Sequence, residues 1–160
     1  MDSSILFGLN KQQVSSDADA WAAVGFSEDD EMIGTDAVIY VPDTQLVAEY
    51  ALEGKSVAGV TQTAFSDITD TSGEQVGSTT TFAFTRNLSP ETADDGKLTI
   101  PDQEGTEIYL LWAYGTGTGL GAHAFSPTSR GAFKVDVFCP LAIGVTDDQT
   151  SGSDSSTTIA

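Results

Sequence analysis

Short apolar runs punctuated by clusters of glycine, serine, threonine and aspartate recur along this chain, and no window sustains an apolar stripe at helical spacing. That pattern restricts the fold to many short strands joined by tight turns, an all-β sandwich or barrel with few or short helices. Thr79–Arg86 (TTTFAFTR) alternates with period two around Phe82 and Phe84, so one face of that strand is expected to be buried and the other wet. Glu107–Tyr114 (EIYLLWAY) is nearly continuously apolar and reads as a central strand covered on both faces. Further strands are predicted at Ile5–Leu9, Trp21–Phe26, Ala37–Val41, Gln45–Ala51, Ser56–Phe65, Glu74–Arg86 and Ala132–Phe138. Pro42-Asp43, Ser72-Gly73, Asp95-Gly96 and Glu104-Gly105 fit turn positions. The chain has room for one domain with a real core, predicted over residues 1–146. The polar stretch 147–160 (DDQTSGSDSSTTIA) reads as a disordered tail or linker.

Charge narrows the function. Twenty-four acidic side chains against six lysines and arginines leave a net charge of −18. This argues against nucleic acid and anionic membrane surfaces, both of which select for Lys and Arg. The acidity suits a saline or extracellular setting, or a face that steers a basic partner. No apolar run is long enough to span a bilayer, and no basic, then apolar leader pattern is visible at the N-terminus. The single cysteine, Cys139, excludes an internal disulfide and reads as a buried small hydrophobe or as a partner for a residue outside this sequence.

Few residues carry recognisable chemistry. The loop Gly115–Gly121 (GTGTGLG) lacks the lysine of a phosphate-binding loop and no helix pattern follows it, so it reads as a loop whose backbone approaches something closely. Asp29, Asp30 and Glu31, and separately Asp94-Asp95, lack the spacing of a calcium loop and read as solvated carboxylates. Asn87-Leu88-Ser89 is a formal glycosylation sequon, made poor by the following Pro90. His123 is the only histidine, and Met32 the only methionine besides Met1. Taken singly, Met32 reads as core filling and His123 as a solvated loop residue.

Three ordered blocks change that reading: WAAVGFSEDDEMIGTDAVIY (21–40), TFAFTRNL (81–88) and IYLLWAYGTGTGLGAHAFSPTSRG (108–131). Together they resemble the DOMON domain, a family that includes haem-carrying cytochrome domains of cellobiose dehydrogenases and ectodomains of cytochrome b561 proteins. The resemblance implies an immunoglobulin-like antiparallel β-sandwich and, in haem-binding members, a non-covalently held b-type haem. It places the axial ligands at Met32 and His123. The absence of a CxxCH motif excludes covalent c-type attachment. Thioether and imidazole together close both axial positions, which suits an electron carrier rather than an enzyme. Haem propionates need cations, and Arg130 and Arg86 fall within the matched blocks. Tyr114 is a candidate pocket wall, on one face or the other of the strand it shares with Trp112. The expected partner is a redox protein or domain, basic if the charge serves steering, and the expected location is extracellular or cell-surface. Two other readings stand beside this one. One is a haem-free module binding carbohydrate or another small ligand on Trp21, Trp112, Tyr40 or Tyr114. The other is a structural or adhesive spacer without a ligand.

Overall fold

The computed structural model describes residues 4–12 (as backbone), 20–64, 66–90, 97–101, 103, 105–123 and 127–137. Nine strands follow in chain order: β1 (Ser4–Gln12), β2 (Ala22–Ser27), β3 (Thr35–Val41), β4 (Leu46–Leu52), β5 (Val60–Gln62), β6 (Ile68–Val76), β7 (Thr79–Asn87), β8 (Glu107–Tyr114) and β9 (Arg130–Asp136). A 3-10 turn, Val57–Gly59, precedes β5. The strands form two antiparallel sheets, one ordered β1-β7-β6 and the other β5-β4-β3-β2-β8-β9. The fold is the expected antiparallel β-sandwich.

The core between the sheets follows from alternation. On β7, Thr80, Phe82, Phe84 and Arg86 point inward and are buried, as the period-two pattern requires. They meet Ala22, Val24 and Phe26 of β2 and Val38 and Tyr40 of β3. Phe82 stacks on Phe84 at 6.0 Å between centroids, and Phe26 meets Phe84 edge-on at 6.3 Å. Tyr40 stacks on Phe82, and a Cβ at Gly73 of β6 would fall 2.4 Å from the Tyr40 ring. Gly73 is therefore no turn residue. It lies within β6, where the absent side chain lets the two sheets close over Tyr40.

Two ion-pair clusters are sealed in this core. Arg86 donates to Asp36 of β3 at 2.6 Å and to the Leu98 carbonyl at 2.7 Å, with its guanidinium 4.7 Å above the Phe26 ring. Lys97 bridges Glu49 of β4 and Asp67, and the Asp67 amide donates to Glu49 at 2.7 Å. Burial pulls the Lys97 ammonium down, but the hydrogen bond to Asp67 and the charge of Glu49 outweigh it and hold the group above the usual lysine value.

Three expectations need correcting. Glu74–Arg86 is two strands, because Gly77 takes a left-handed φ of +57° and the chain reverses between Val76 and Thr79. Ser56–Phe65 is only three strand residues after the 3-10 turn, with Phe65 itself outside the described residues. β8 lies one strand from the sheet edge and is apolar on both faces for different reasons. Ile108, Leu110 and Tyr114 face the inter-sheet core, whereas Leu111 and Ala113 face outward, where no sheet among the described residues covers them. Asp94-Asp95, Asp95-Gly96, Cys139 and the stretch 147–160 lie outside the described residues.

Candidate functional site

The outward face of the six-stranded sheet carries a second apolar cluster of Trp21, Ala23, Ala37, Ile39, Val41, Ala48 and Tyr50. A cavity of about 710 Å³ opens on this face. That is within the range of small-molecule and cofactor sites, roughly 300–1,000 Å³. Its floor is made by the small outward residues of the central strands: Ala23 and Gly25 on β2, Ala37 on β3 and Ala113 on β8. Larger residues, among them Ile39, Leu52, Val60 and Leu111, complete it. Gly25 cannot be enlarged, since a Cβ there would lie 2.5 Å from the Thr35 methyl. The sequence signal for this floor was available in the alternation of Ala23 and Gly25 with Ala22, Val24 and Phe26. It reads as ordinary strand until the outer face is known to be uncovered.

Two loops from opposite ends of the same strands rim the cavity. At one end β2 passes into β3 through Glu28–Gly34. Asp29 organises this loop, accepting hydrogen bonds from the Glu31 amide at 2.9 Å and the Ser27 hydroxyl at 3.3 Å. Thr35 donates its hydroxyl to the Glu31 carbonyl, and its amide to the Met32 carbonyl at 3.3 Å. Gly34, at φ +87°, donates to Leu52 of β4 at 2.8 Å. These bonds fix the half-buried Met32, which lines the cavity. The Asp29 carboxylate thus serves as a loop brace, and among the described residues no three His, Cys, Asp or Glu side chains converge as a metal site. A pair of axial ligands to an iron already held by a macrocycle is a different donor set and needs no such cluster.

At the other end, the glycine loop after β8 carries His123. Its backbone bridges to Gly115, and its ring lies 6.5 Å from the Trp21 indole, tilted by 57°. The loop is tied to the β3–β4 turn through the Asp43 amide, which donates to Thr118 at 3.1 Å, and Leu120 packs on the outer cluster. His123 and Arg130 both line the cavity. Arg130 begins β9 opposite Ala113 and is exposed. The structure thus brings Met32, His123 and Arg130 to one cavity, though Met32 and His123 sit at opposite ends of the sheet.

Arg86 and Tyr114 are not brought there. Arg86 points to the opposite face of the six-stranded sheet, where it is fully buried against Asp36, so the inward alternation of β7 that buries Phe82 and Phe84 also commits Arg86 to the core. Tyr114 faces the inter-sheet side of β8, and its hydroxyl donates to the Thr128 carbonyl. Among the aromatic platform candidates, Trp21 lines the cavity, whereas Trp112 shares the face of β8 with Tyr114, on which it stacks at 6.3 Å, and Tyr40 is buried between the sheets. Sequence reasoning passed over Lys55, a second cation at the rim, which pairs with Glu31 at 3.4 Å across the Met32 end. Nothing in its local sequence singles it out.

The apolar floor, the soft thioether at one rim and the imidazole with Arg130 at the other fit a flat, largely apolar group, while the Met32 rim carries Asp30 and Glu31 beside Lys55. No curated protein matches this chain. The DOMON domain profile matches residues 1–115, a span that holds Met32 and the Asp36–Arg86 pair and stops short of His123 and Arg130. On that match over most of its length, the chain belongs to the DOMON domain family.

Proposed function

We propose that this domain binds one b-type haem non-covalently between Met32 and His123 and acts as a one-electron relay. The observation that supports it most directly is that these two residues, far apart in sequence, line one cavity from opposite rims. Bound haem would supply reversible one-electron chemistry at its iron. Met32 would contribute a thioether that favours the reduced metal, and His123 an imidazole that retains it. With Met32 and His123 both holding the group, neither face of it would be left for a substrate, so the domain would serve a redox partner and would not itself be an enzyme. Ala23, Gly25, Ala37 and Ala113 exclude water and leave room for a flat ring. Arg130 stands at the His123 rim, where it would meet a propionate, whereas Lys55 is paired with Glu31. The partner is a redox protein or domain, and the acidic surface favours a basic one. Family membership supports an extracellular or cell-surface setting, and no helix among the described residues is long and apolar enough to cross a membrane.

An absorption spectrum tests this. With haemin added, the reduced protein is expected to give a sharp Soret band and resolved α and β bands, the signature of six-coordinate low-spin iron. Met32→Leu should open one position and lower the potential, and His123→Ala should abolish or badly weaken haem retention. A protein that ignores haemin, but whose melting shifts with oligosaccharides, would transfer the cavity to the sugar-binding reading.

A further inference from the structure

Trp21 belongs to the outer apolar cluster, and Gly115 is where its indole is seated. The Trp21 side chain lies on the outward face of the sheet, is 4% exposed, and lines the cavity. Its indole is pressed against Gly115, where a Cβ would fall 2.0 Å from Nε1 and 2.4 Å from Cε2. Gly115 is also the backbone partner of both residues: its amide donates to the Trp21 carbonyl at 3.2 Å, and it bridges to His123. One glycine therefore fixes the indole and the histidine backbone together, and it leaves the two rings 6.5 Å apart. The indole Nε1 is buried and has no hydrogen-bond partner among the described residues. Among the described residues, the contact the indole makes with His123 is one of ring against ring.

We infer that Trp21 is a positioning residue, an aromatic wall seated on Gly115 that holds the His123 imidazole in its orientation at the cavity rim. The inference rests on the proposed role of His123 as a ligand, but its geometry is testable without haem. A flat wall removes rotamers from the histidine before ligation, so less order has to be imposed when the metal arrives. It predicts that phenylalanine can replace tryptophan and that an aliphatic side chain cannot.

His123 is the only histidine, so its imidazole gives one set of signals in long-range ¹H–¹⁵N NMR of the haem-free protein. The wild type is expected to show a single set displaced by the indole ring current. Trp21→Phe should keep one displaced set and a low-spin spectrum with haemin. Trp21→Leu should move the signals toward those of free histidine and weaken haemin binding roughly tenfold or more, the usual scale for residues that orient a metal ligand. Gly115→Ala, which pushes the indole away without removing it, should do the same, and it stands in if Trp21→Leu does not fold. Imidazole signals indifferent to both the leucine and the alanine substitution would overturn the inference. Displaced signals in a wild type that takes up no haemin would leave the wall standing and overturn the haem reading alone.

Discussion

The two faces of the six-stranded sheet are built from alternate residues of the same strands, yet they are packed by opposite rules. Inward, β2 and β3 present Val24, Phe26, Val38 and Tyr40, interlocked with Phe82 and Phe84, and the charged groups there are paired. Outward, the same strands present Ala23, Gly25 and Ala37, and the space they leave is the cavity. Asp36 and Ala37 are neighbours in sequence and serve different ends: one locks the sheets together and the other makes room. The difference teaches that the interlocked core and the cavity are separable here by strand parity, and substitutions should sort accordingly.

The largest break in that comparison should come from Asp36→Ala. It strands the Arg86 guanidinium in the core and should cost on the order of 3–5 kcal/mol in urea denaturation. A loss under about 1 kcal/mol would mean the pair is dispensable. One residue on, Ala37→Phe should fill the cavity, reduce haemin uptake more than about tenfold and cost at most about 1–3 kcal/mol in the same experiment. If it instead unfolded the protein while haemin still bound to the folded fraction, the outward face would be part of the core after all.

Lys97 sharpens the inward half. Its pKa is raised above the lysine reference of 10.5, so its pairing with Asp67 and Glu49 stabilises the fold fully below that pH and is lost as pH climbs through the raised value. The stability gap between wild type and Lys97→Met, clear at neutral pH, should narrow as the pH rises above 10.5. Comparison with the variant matters because burial also raises Tyr40 and Tyr50, which weaken the fold in the same alkaline direction in both proteins. A gap constant to the most alkaline pH at which both stay folded would contradict the ion-pair account. The smallest effect belongs to the rim: Lys55→Gln removes an exposed pair with Glu31 and should change stability by about 0.5 kcal/mol or less.

Much of the fold was legible because β-alternation is a local signal. Phe82 and Phe84 announced a buried face, and Pro42-Asp43 announced the turn whose bonds run from Thr44 to Val41 and from Gln45 to Pro42. The β6–β7 reversal was missed because Gly77 sits inside an otherwise strand-like stretch, and a positive φ cannot be read from composition. At the site, the motifs pointed to Met32, His123 and Arg130, and all three line the cavity. Arg86 shared those motifs but not their location, because parity on β7 aims it inward at a carboxylate fifty residues away. A pairing at that separation belongs to the tertiary fold, as does the role of Lys55.

The Asp36–Arg86 pair has one further consequence, for how the chain finds its alignment. A strand slipped by one residue turns each side chain to the opposite face. For β3 that slip would put Asp36 on the alanine-lined hollow and Ala37 beneath the Arg86 guanidinium. Apolar neighbours alone discriminate weakly here, since β3 has hydrophobic residues of both parities. A charge that finds its partner in only one alignment acts as a key, and a misthreaded sheet would leave it without one.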